Sequence, residues 1–130
     1  MLFLLELKIG DQFSYVKRLK EQDIDLFAEI SGDHNPLHLD AGFASQTMFK
    51  RRIAHGLLTA SLISTALAAI PGIIILLQVS FSFEKPVYID DELEASVEVK
   101  KIEKDRIYLS AKVMRGAERV VYGEAKISRR

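Results

Sequence analysis

Residues 56–83 contain no aspartate, glutamate, lysine, arginine or histidine, and this stretch is long enough to cross a lipid bilayer. Pro71 and Gly72 interrupt it near its middle, where a proline removes a backbone hydrogen bond and clashes with the preceding helical turn. The first half is rich in leucine and alanine, which favour helix, and the second half turns β-branched. We therefore expect a wholly buried helix over residues 55–70, then a turn and a buried strand, and no membrane span.

Apolar residues at alternate positions predict an antiparallel sheet beside this helix. Residues 92–102, 107–113 and 121–127 alternate in this way, and residues 13–19 also indicate a strand. Short segments at 104–105 and 115–117 have the length of hairpin turns. Residues 22–30 predict a short helix that stops at Gly32, a natural C-terminal cap, and residues 40–46 one further helical turn. The predicted fold class is α+β, in a single domain over residues 1–130.

Composition excludes several classes of function. Eighteen basic residues balance eighteen acidic ones, so no net field draws the whole chain towards nucleic acid or an anionic membrane. The chain has no cysteine, which excludes disulfides, thiolate catalysis and cysteine-bound zinc, and we expect a cytoplasmic location. Residues 1–11 have a short apolar run, no preceding basic region and an early Glu6. This pattern indicates an edge segment or strand and not a signal peptide.

A polar segment from Ser31 to His38, which we call the Asp-His turn, carries the residues best suited to chemistry. It contains one carboxylate, Asp33, and two imidazoles. Pro36 disfavours helix for the residue before it and removes an amide donor, so residues 33–38 are expected to form a fixed, non-helical turn. An acid and a histidine on one rigid turn, followed by a helix N-terminus, suit proton transfer. His34 is expected to face solvent.

The same region offers possible metal ligands. His34 and His38 have the i,i+4 spacing of a helical zinc motif, but Pro36 lies between them and the glutamate of that motif is absent from the sequence. Leucines occupy positions where a calcium loop needs ligands. We expect no metal and no bound cofactor. The possible ligands are Asp33, His34, His38, Asp40 and His55, the last of which is otherwise expected to start the helix or to pack.

The order and spacing of these motifs resemble one family. A short helix ends at a small residue, an Asp-x-Asn-Pro-Leu-His turn follows, and a basic residue with Ile-Ala-His-Gly opens a helix that holds a serine. This pattern is similar to that of the MaoC-like (R)-specific enoyl-CoA hydratases, which have the hotdog fold. Arg52 departs from it, since relatives usually have proline there, and so does the short, glycine-free stretch after Gly72. The residues that carry the resemblance are Phe27, Ser31, Asp33, Asn35, Pro36, Leu37, His38, Ala44, Arg51, Ile53, Ala54, His55, Gly56, Ser64, Phe81, Phe83, Pro86 and Val87.

The resemblance implies a sheet wrapped around a long central helix, and an activity. That activity is the reversible syn addition of water to a trans-2-enoyl-CoA thioester, which gives the (R)-3-hydroxyacyl product. Asp33 and His38 would be catalytic and hold one water between them, with the first proton acceptor left open. The backbone N–H of Gly56 would stabilise the charge on the thioester oxygen, as a helix N-terminus does.

Further roles follow from the same resemblance. Asn35 would brace the turn, Ser64 would orient the Asp33 carboxylate, and Arg51 would contact the phosphates of coenzyme A. The resemblance also implies a homodimer in which sheets join edge to edge, and a small sheet on one helix does leave strand edges that need a partner.

Other activities of this fold compete with hydration. Acyl-carrier-protein dehydratases of the other hotdog branch and several thioesterases carry an acidic residue on the central helix, and residues 56–70 contain none. A non-catalytic acyl-thioester-binding or partner subunit is the alternative from another class. The presence of both Asp33 and His38 argues against that alternative, because such a subunit needs neither.

Overall fold

A computed structural model of the chain describes residues 6–130. The predicted N-terminal edge segment lies partly outside this range, and its described part, residues 6–11, is not a strand. Leu7 within it is buried. The elements in chain order are β1 Gln12–Arg18, α1 Glu21–Ser31, α2 Pro36–Leu39, α3 Ala41–Ser45, α4 Gly56–Ala68, β2 Ile74–Phe83, β3 Glu92–Glu103, β4 Arg106–Arg115 and β5 Glu118–Arg129.

The strands form one antiparallel sheet in the order β1-β3-β4-β5-β2. β3, β4 and β5 follow one another through tight turns, at the two places that the sequence predicts. The predicted alternation is confirmed in β4 and in β3 as far as Val99, where every second residue is buried, but Ile102 is exposed. In β5 the predicted inward residues Val121, Ala125 and Ile127 are buried and Gly123 is half-buried, but Val120 and Ser128 are buried as well. The buried residues of β3 and β4 are Leu93, Ala95, Val97, Val99, Ile107, Leu109, Ala111 and Val113.

The long apolar helix, α4, packs against the inner face of this sheet and contacts β1, β3 and β4. Leu58, Leu62 and Ile63 lie on the buried side. A single antiparallel sheet wrapped around one long helix is the hotdog arrangement, so the predicted α+β class is confirmed. The prediction that α4 is wholly buried is wrong: Leu57 is 65% exposed and Ser64 is also open to solvent. The sheet covers one side of the helix and leaves the other side open.

The strand after this helix, β2, is predicted to be buried and is instead an exposed edge strand. Among the described residues β2 pairs only with β5, so its other edge carries free backbone N–H and C=O groups. Ile75, Leu76 and Leu77 are each more than 40% exposed. The pairing of β2 with β5 shifts by one residue between Leu76 and Gln78, which places a β-bulge at Leu77.

The elements around the Asp-His turn also match the prediction in part. α1 ends at Ser31, and Gly32 adopts the left-handed conformation with φ 79°, as a C-terminal cap does. Residues 32–35 are non-helical, but Pro36 begins α2, so a wholly non-helical turn over residues 33–38 is wrong. Proline fits the first helical position because the missing N–H has no intrahelical acceptor there.

Within residues 6–130, no helix combines the length and the apolar character that a membrane crossing requires.

Gly123, on β5, lies directly against the backbone of β2. A Cβ atom at this position would lie 1.8 Å from the backbone oxygen of Ser80, so only glycine lets the two strands pair as they do.

We expect Gly123→Ala to lower the free energy of unfolding by about 3 kcal/mol or more, because backbone and not a flexible side chain must move. Chemical denaturation measures this change. Gly42→Ala is the control, since its Cβ would meet only the Asp40 side chain at 3.3 Å, and it should change stability by less than about 1 kcal/mol. Equal effects of the two substitutions would contradict the prediction.

Candidate active site

Three successive hydrogen bonds hold the Asp-His turn in one conformation. Each joins a side-chain oxygen to the backbone N–H two residues later. Asp33 N–H donates to Ser31 Oγ (3.1 Å), Asn35 N–H to Asp33 Oδ1 (3.2 Å), and Leu37 N–H to Asn35 Oδ1 (3.0 Å). Such bonds are the usual means by which serine, aspartate and asparagine fix turns and cap helices. The turn that carries Asp33 is therefore rigid because of its own sequence.

His38, on α2, is held through one ring nitrogen. Its Nδ1 lies 2.8 Å from the backbone oxygen of Ile53, and because a carbonyl oxygen only accepts, Nδ1 carries the proton. In the neutral ring Nε2 is then the acceptor. Ile53 N–H in turn donates to the backbone oxygen of Leu37 (3.4 Å), so the segment before α4 lies along α2. The imidazole is thereby oriented with a basic nitrogen available for chemistry.

His55 lies at the N-cap of α4, and only 2% of it is exposed. Its Nε2–H donates to the backbone oxygen of Asp33 at 3.0 Å. Its ring stacks on that of His38, with ring centroids 4.0 Å apart, and also contacts Phe27. Among the described residues its Nδ1 has no hydrogen-bond partner. His55 joins the Asp-His turn to α4, which is more than the helix-start or packing role that the sequence suggests.

The fold brings the carboxylate of Asp33 and the rings of His38 and His55 together. One oxygen and one nitrogen from each ring all lie within 4.8 Å of one another. Two hydrogen bonds of about 2.8 Å at a tetrahedral angle span roughly 4.6 Å, so one water can bridge Asp33 and His38. The same three groups have the chemical types that transition metals bind. The expectation of a metal-free site stays a prediction that metal analysis of the purified protein can test.

Burial lowers the pKa of His55 below its ordinary value, because a charged imidazole loses hydration there. The hydrogen bond to Asp33 opposes this effect, and the neighbouring ring of His38 adds to it. His55 is therefore kept neutral beside Asp33 and His38.

Gly56 is the first residue of α4, where backbone N–H groups have no intrahelical partner. The ring of Phe83, from the end of β2, lies over it. A Cβ atom at Gly56 would come within 3.0 Å of Phe83 Cδ1, so glycine is what allows the ring to lie there. The positive end of the helix dipole and a free N–H thus face a site with an apolar wall.

A cleft of about 260 Å³ begins at His38 and Gly56. We call it the active-site cleft. An apolar ligand can enter it and present its polar end to these two residues. Its walls are mainly apolar and include Phe49, Ile53, Ala54, Phe83, Val87 and Val121.

The remaining residues singled out by the sequence lie at different distances from this cluster. Asn35 lies in the turn and caps α2. Arg51 stacks over the ring of Tyr88 with its guanidinium carbon 4.0 Å from the ring centre, and within residues 6–130 it forms no salt bridge. His34 is exposed, and its ring bonds the Gly32 carbonyl.

The structure does not join Ser64 to Asp33. Ser64 lies eight residues along α4 from Gly56, which corresponds to about 12 Å of helix. Its side chain lines a separate groove of about 190 Å³ between α4 and β2, and within the described part of the chain it makes no hydrogen bond to Asp33. The predicted orienting role of Ser64 is therefore not performed within one chain.

The positions of two further residues, Phe83 and Arg52, are not predicted from the sequence. Phe83 is recognisable as part of a strand, but its position over Gly56 depends on how that strand returns past the helix. Arg52 belongs to a basic triplet that resembles a solvated surface run, yet its side chain is only 9% exposed.

Several known proteins that are similar to this chain are hydratases and dehydratases. The model of the MaoC-like domain family matches residues 7–120. A 3-hydroxybutyryl-CoA dehydratase of Methylorubrum extorquens is 39% identical over 132 residues, covering 98% of this chain and 83% of that protein. An (R)-specific enoyl-CoA hydratase of Aeromonas caviae is 43% identical over 102 residues, covering 77% of this chain and 76% of the relative. The crystal structure of an R-hydratase from Pseudomonas aeruginosa has a TM-score of 0.89 and 41% identity, covering 95% of this chain and 83% of the other.

The chain therefore belongs to the MaoC-like domain family and is an enzyme of the hydratase and dehydratase class, the hydro-lyases.

The lowered pKa of His55 makes the stability of the fold depend on pH. Below about pH 6.5 an unfolded histidine binds a proton that the folded His55 excludes, so stability should fall as pH decreases towards the lower, folded pKa. In His55→Gln, whose amide can still donate to the Asp33 carbonyl, this part of the pH dependence should disappear. Urea denaturation at several values between about pH 7.5 and pH 5 measures it. His34→Gln is the matched control and should retain the wild-type slope, whereas equal slopes in wild type and His55→Gln would contradict the prediction.

Proposed function

We propose that this chain catalyses the reversible hydration of trans-2-enoyl-CoA thioesters to (R)-3-hydroxyacyl-CoA. The observation that carries the proposal is the placement of Asp33 and His38. An oxygen of Asp33 and a nitrogen of His38 lie within 4.8 Å of each other, and His38 lines an apolar cleft that is also lined by Gly56, at the N-terminus of α4. This arrangement can hold a water, an acyl chain and a thioester carbonyl at once.

Hydration requires two proton movements, and the pair of acceptors suits both. A water held between the Asp33 carboxylate and His38 Nε2 gives up one proton to one of them as its oxygen bonds to the β-carbon. The π electrons of the double bond move to the α-carbon and the thioester oxygen. The protonated group then returns the proton to the α-carbon, so that hydrogen and hydroxyl are added and the enzyme is regenerated. Dehydration follows the same steps in reverse.

The stereochemistry follows from the position of the two groups. Asp33 and His38 come from one turn, and an oxygen of Asp33 lies within 4.8 Å of a nitrogen of His38. A substrate that lies flat against this turn therefore receives the hydroxyl and the proton on the same face. Syn addition, which the family resemblance implies, is thus supported by geometry.

Gly56 would stabilise the charge that develops on the thioester oxygen. Its N–H and the dipole of α4 favour an anion at this point. The apolar wall formed by Phe83 lowers the local polarity, and an electrostatic interaction is stronger there than in water. Removing a single donor of this kind from other enzymes costs about 10²–10³ in kcat.

Coenzyme A as the carrier is supported by Arg51 and by the relatives. Arg51 is held beside the cleft by stacking on Tyr88, whose hydroxyl donates to the backbone oxygen of Phe49 in the cleft wall. A guanidinium in this position can bind a phosphate. The Methylorubrum relative is a 3-hydroxybutyryl-CoA dehydratase and the Aeromonas relative is an enoyl-CoA hydratase.

We further propose that the active form is a homodimer. β2 offers a free edge, and the groove between β2 and α4 is lined by Leu57, Ser64, Leu76 and Val79, all of them exposed in the single chain. A second copy that pairs along β2 would satisfy the free backbone groups and cover these side chains. In this arrangement Ser64 would lie at the interface. A cytoplasmic location stays a prediction from the sequence.

We expect Asp33→Asn and His38→Ala each to lower kcat on crotonyl-CoA by at least about 10²-fold, because each removes a group that takes part in proton transfer. Loss of the enone absorbance measures the rate, and circular dichroism checks that the variants fold. His34→Gln is the matched control on the same turn and should keep wild-type activity.

Two results would overturn the proposed function. One is a folded wild type that is inactive on enoyl-CoA substrates of about four to twelve carbons, which would favour a non-catalytic acyl-binding subunit. The other is release of free thiol without hydration, which would indicate a thioesterase. A parallel assay with acyl-carrier-protein thioesters distinguishes the two carriers, and chiral analysis of the product tests the (R) configuration.

The dimer prediction is tested by light scattering. Leu76→Asp should weaken self-association by at least about tenfold, because each copy would bury a carboxylate in an apolar interface. Ile30→Glu, at an exposed apolar position on α1, is the control and should remain dimeric. A wild type that is monomeric at micromolar concentration would contradict the prediction.

A further inference from the structure

We propose that Arg52 is a positioning residue that holds the His38 base in place by clamping α2 to α1. This inference rests on the proposed role of His38 in catalysis. It concerns a residue that lies outside the reacting cluster and touches neither the water nor the substrate.

The contacts of Arg52 define the clamp. Nε–H donates to the backbone oxygen of His38 at 2.6 Å, and the two terminal nitrogens donate to Glu21 Oε1 (2.6 Å) and to Asp25 Oδ1 (2.9 Å). Glu21 and Asp25 are both on α1, one turn apart. A single guanidinium thus joins the backbone of the catalytic residue to a separate, longer helix.

The burial of this side chain shows that the clamp is part of the interior of the site. Only 9% of the Arg52 side chain is exposed, whereas the two carboxylates are 63% and 56% exposed. A buried charge is tolerated when its donors are satisfied. The planar guanidinium offers donors in fixed directions and reaches all three acceptors, which the single ammonium of lysine cannot do.

α2 needs such support because it is short. It has only four residues, and an isolated helix of that length is not stable in water. Its last carbonyls have no intrahelical partners, and that of His38 is taken by Arg52.

The next residue, Ile53, completes the attachment of α2. It donates to the Leu37 carbonyl, and it accepts the Nδ1–H of His38 at 2.8 Å. Arg52 and Ile53 therefore fix both the backbone and the ring of His38. If Arg52 is removed, Ile53 is the one residue of this segment that still hydrogen-bonds α2 among the described residues, and the imidazole can shift relative to Asp33.

Such a shift should reduce the rate of the chemical step and leave substrate binding nearly unchanged. Displacing a catalytic group by about 1 Å can cost about 10²-fold in rate. The active-site cleft is lined by other side chains, so KM should change by less than about threefold. A residue that contributes only to stability would lower the melting temperature without this split between kcat and KM.

The test uses Arg52→Met, which keeps the length of the stem and removes every donor. We expect kcat to fall by about 10- to 100-fold. A second readout, which needs no substrate, is the imidazole Nδ1–H signal of His38 in the NMR spectrum of the folded protein. The hydrogen bond to Ile53 should make this signal visible in the wild type, His38→Gln assigns it by its loss, and it should broaden or vanish in Arg52→Met.

Two further variants keep the test decisive. The double variant Glu21→Gln, Asp25→Asn leaves Arg52 in place. It should fold, because it changes only exposed side chains. We expect it to lower kcat by roughly threefold, because ion pairs with exposed carboxylates are weak. Arg115→Met is the matched control, because Arg115 likewise bridges two carboxylates and one backbone carbonyl, those of Asp91, Glu118 and Pro86. It should lose stability but keep both kcat and the His38 signal.

The outcomes separate this proposal from the proposed function. Loss of the signal together with a fall in kcat at constant KM supports the clamp. A change in only one of the two readouts, or in neither, overturns it. If the wild type hydrates no enoyl thioester, the proposed function fails, and the signal alone then decides whether Arg52 positions His38.

Discussion

The packing of α4 against the inner face of the sheet is the interaction on which the rest of the structure depends. Its apolar side, which includes Leu58, Leu62 and Ile63, is buried against strands that are far apart in sequence. This burial fixes the direction of the helix and the position of its first residues. The packing of the core therefore determines where His55 and Gly56 lie. It also determines where Asp33 and His38 lie, because both contact His55. The position of the site therefore depends on the packing of α4.

Backbone carbonyl groups set the protonation pattern of the two imidazoles. Ile53 fixes the proton of His38 on Nδ1, and Asp33 fixes that of His55 on Nε2. Two stacked rings in such close contact cannot both be charged without mutual repulsion, and burial keeps His55 neutral. In the proposed mechanism His38 is the imidazole that exchanges protons. The fold assigns different tasks to two chemically identical side chains through the atoms around them.

The parts of the fold that depend on local pattern are predictable from sequence. The absence of charged residues predicts the central helix, and the alternation of apolar residues predicts β3, β4 and β5. The glycine after Ser31 predicts the end of α1. The Asp-His turn is recognisable because its own side chains fix it. By contrast, the exposure of β2 and of one side of α4 is not predictable, because the sequence of an exposed apolar segment does not differ from that of a buried one. The sequence does not predict α2, because a proline is found both just after a helix and at the first position of one.

The surroundings of Arg52 and Ser64 are not predictable from the sequence, because they depend on contacts between residues that are far apart in the chain. The two residues before Arg52 in the chain are basic. The carboxylates that Arg52 binds lie about thirty residues earlier, on α1. Its burial follows only once α1, α2 and the segment before α4 are assembled. The place of Ser64 is similar: helical spacing shows which side of α4 it occupies, but not which surface faces that side.

The bulge at Leu77 has a consequence for the site at the far end of its strand. Side chains on a strand alternate between faces, so one extra residue reverses the alternation for all that follows. Before the bulge Leu76 is paired with the inward-facing Ile127, and after it Val79, Phe81 and Phe83 are paired with Ala125, Gly123 and Val121 on that same inner face. Without the extra residue the even-numbered side chains would continue inward, and a serine or a glutamate would take the place of the phenyl ring over Gly56. The bulge at Leu77 thus determines whether an apolar or a polar side chain lies over the N-terminus of α4, six residues further along the strand.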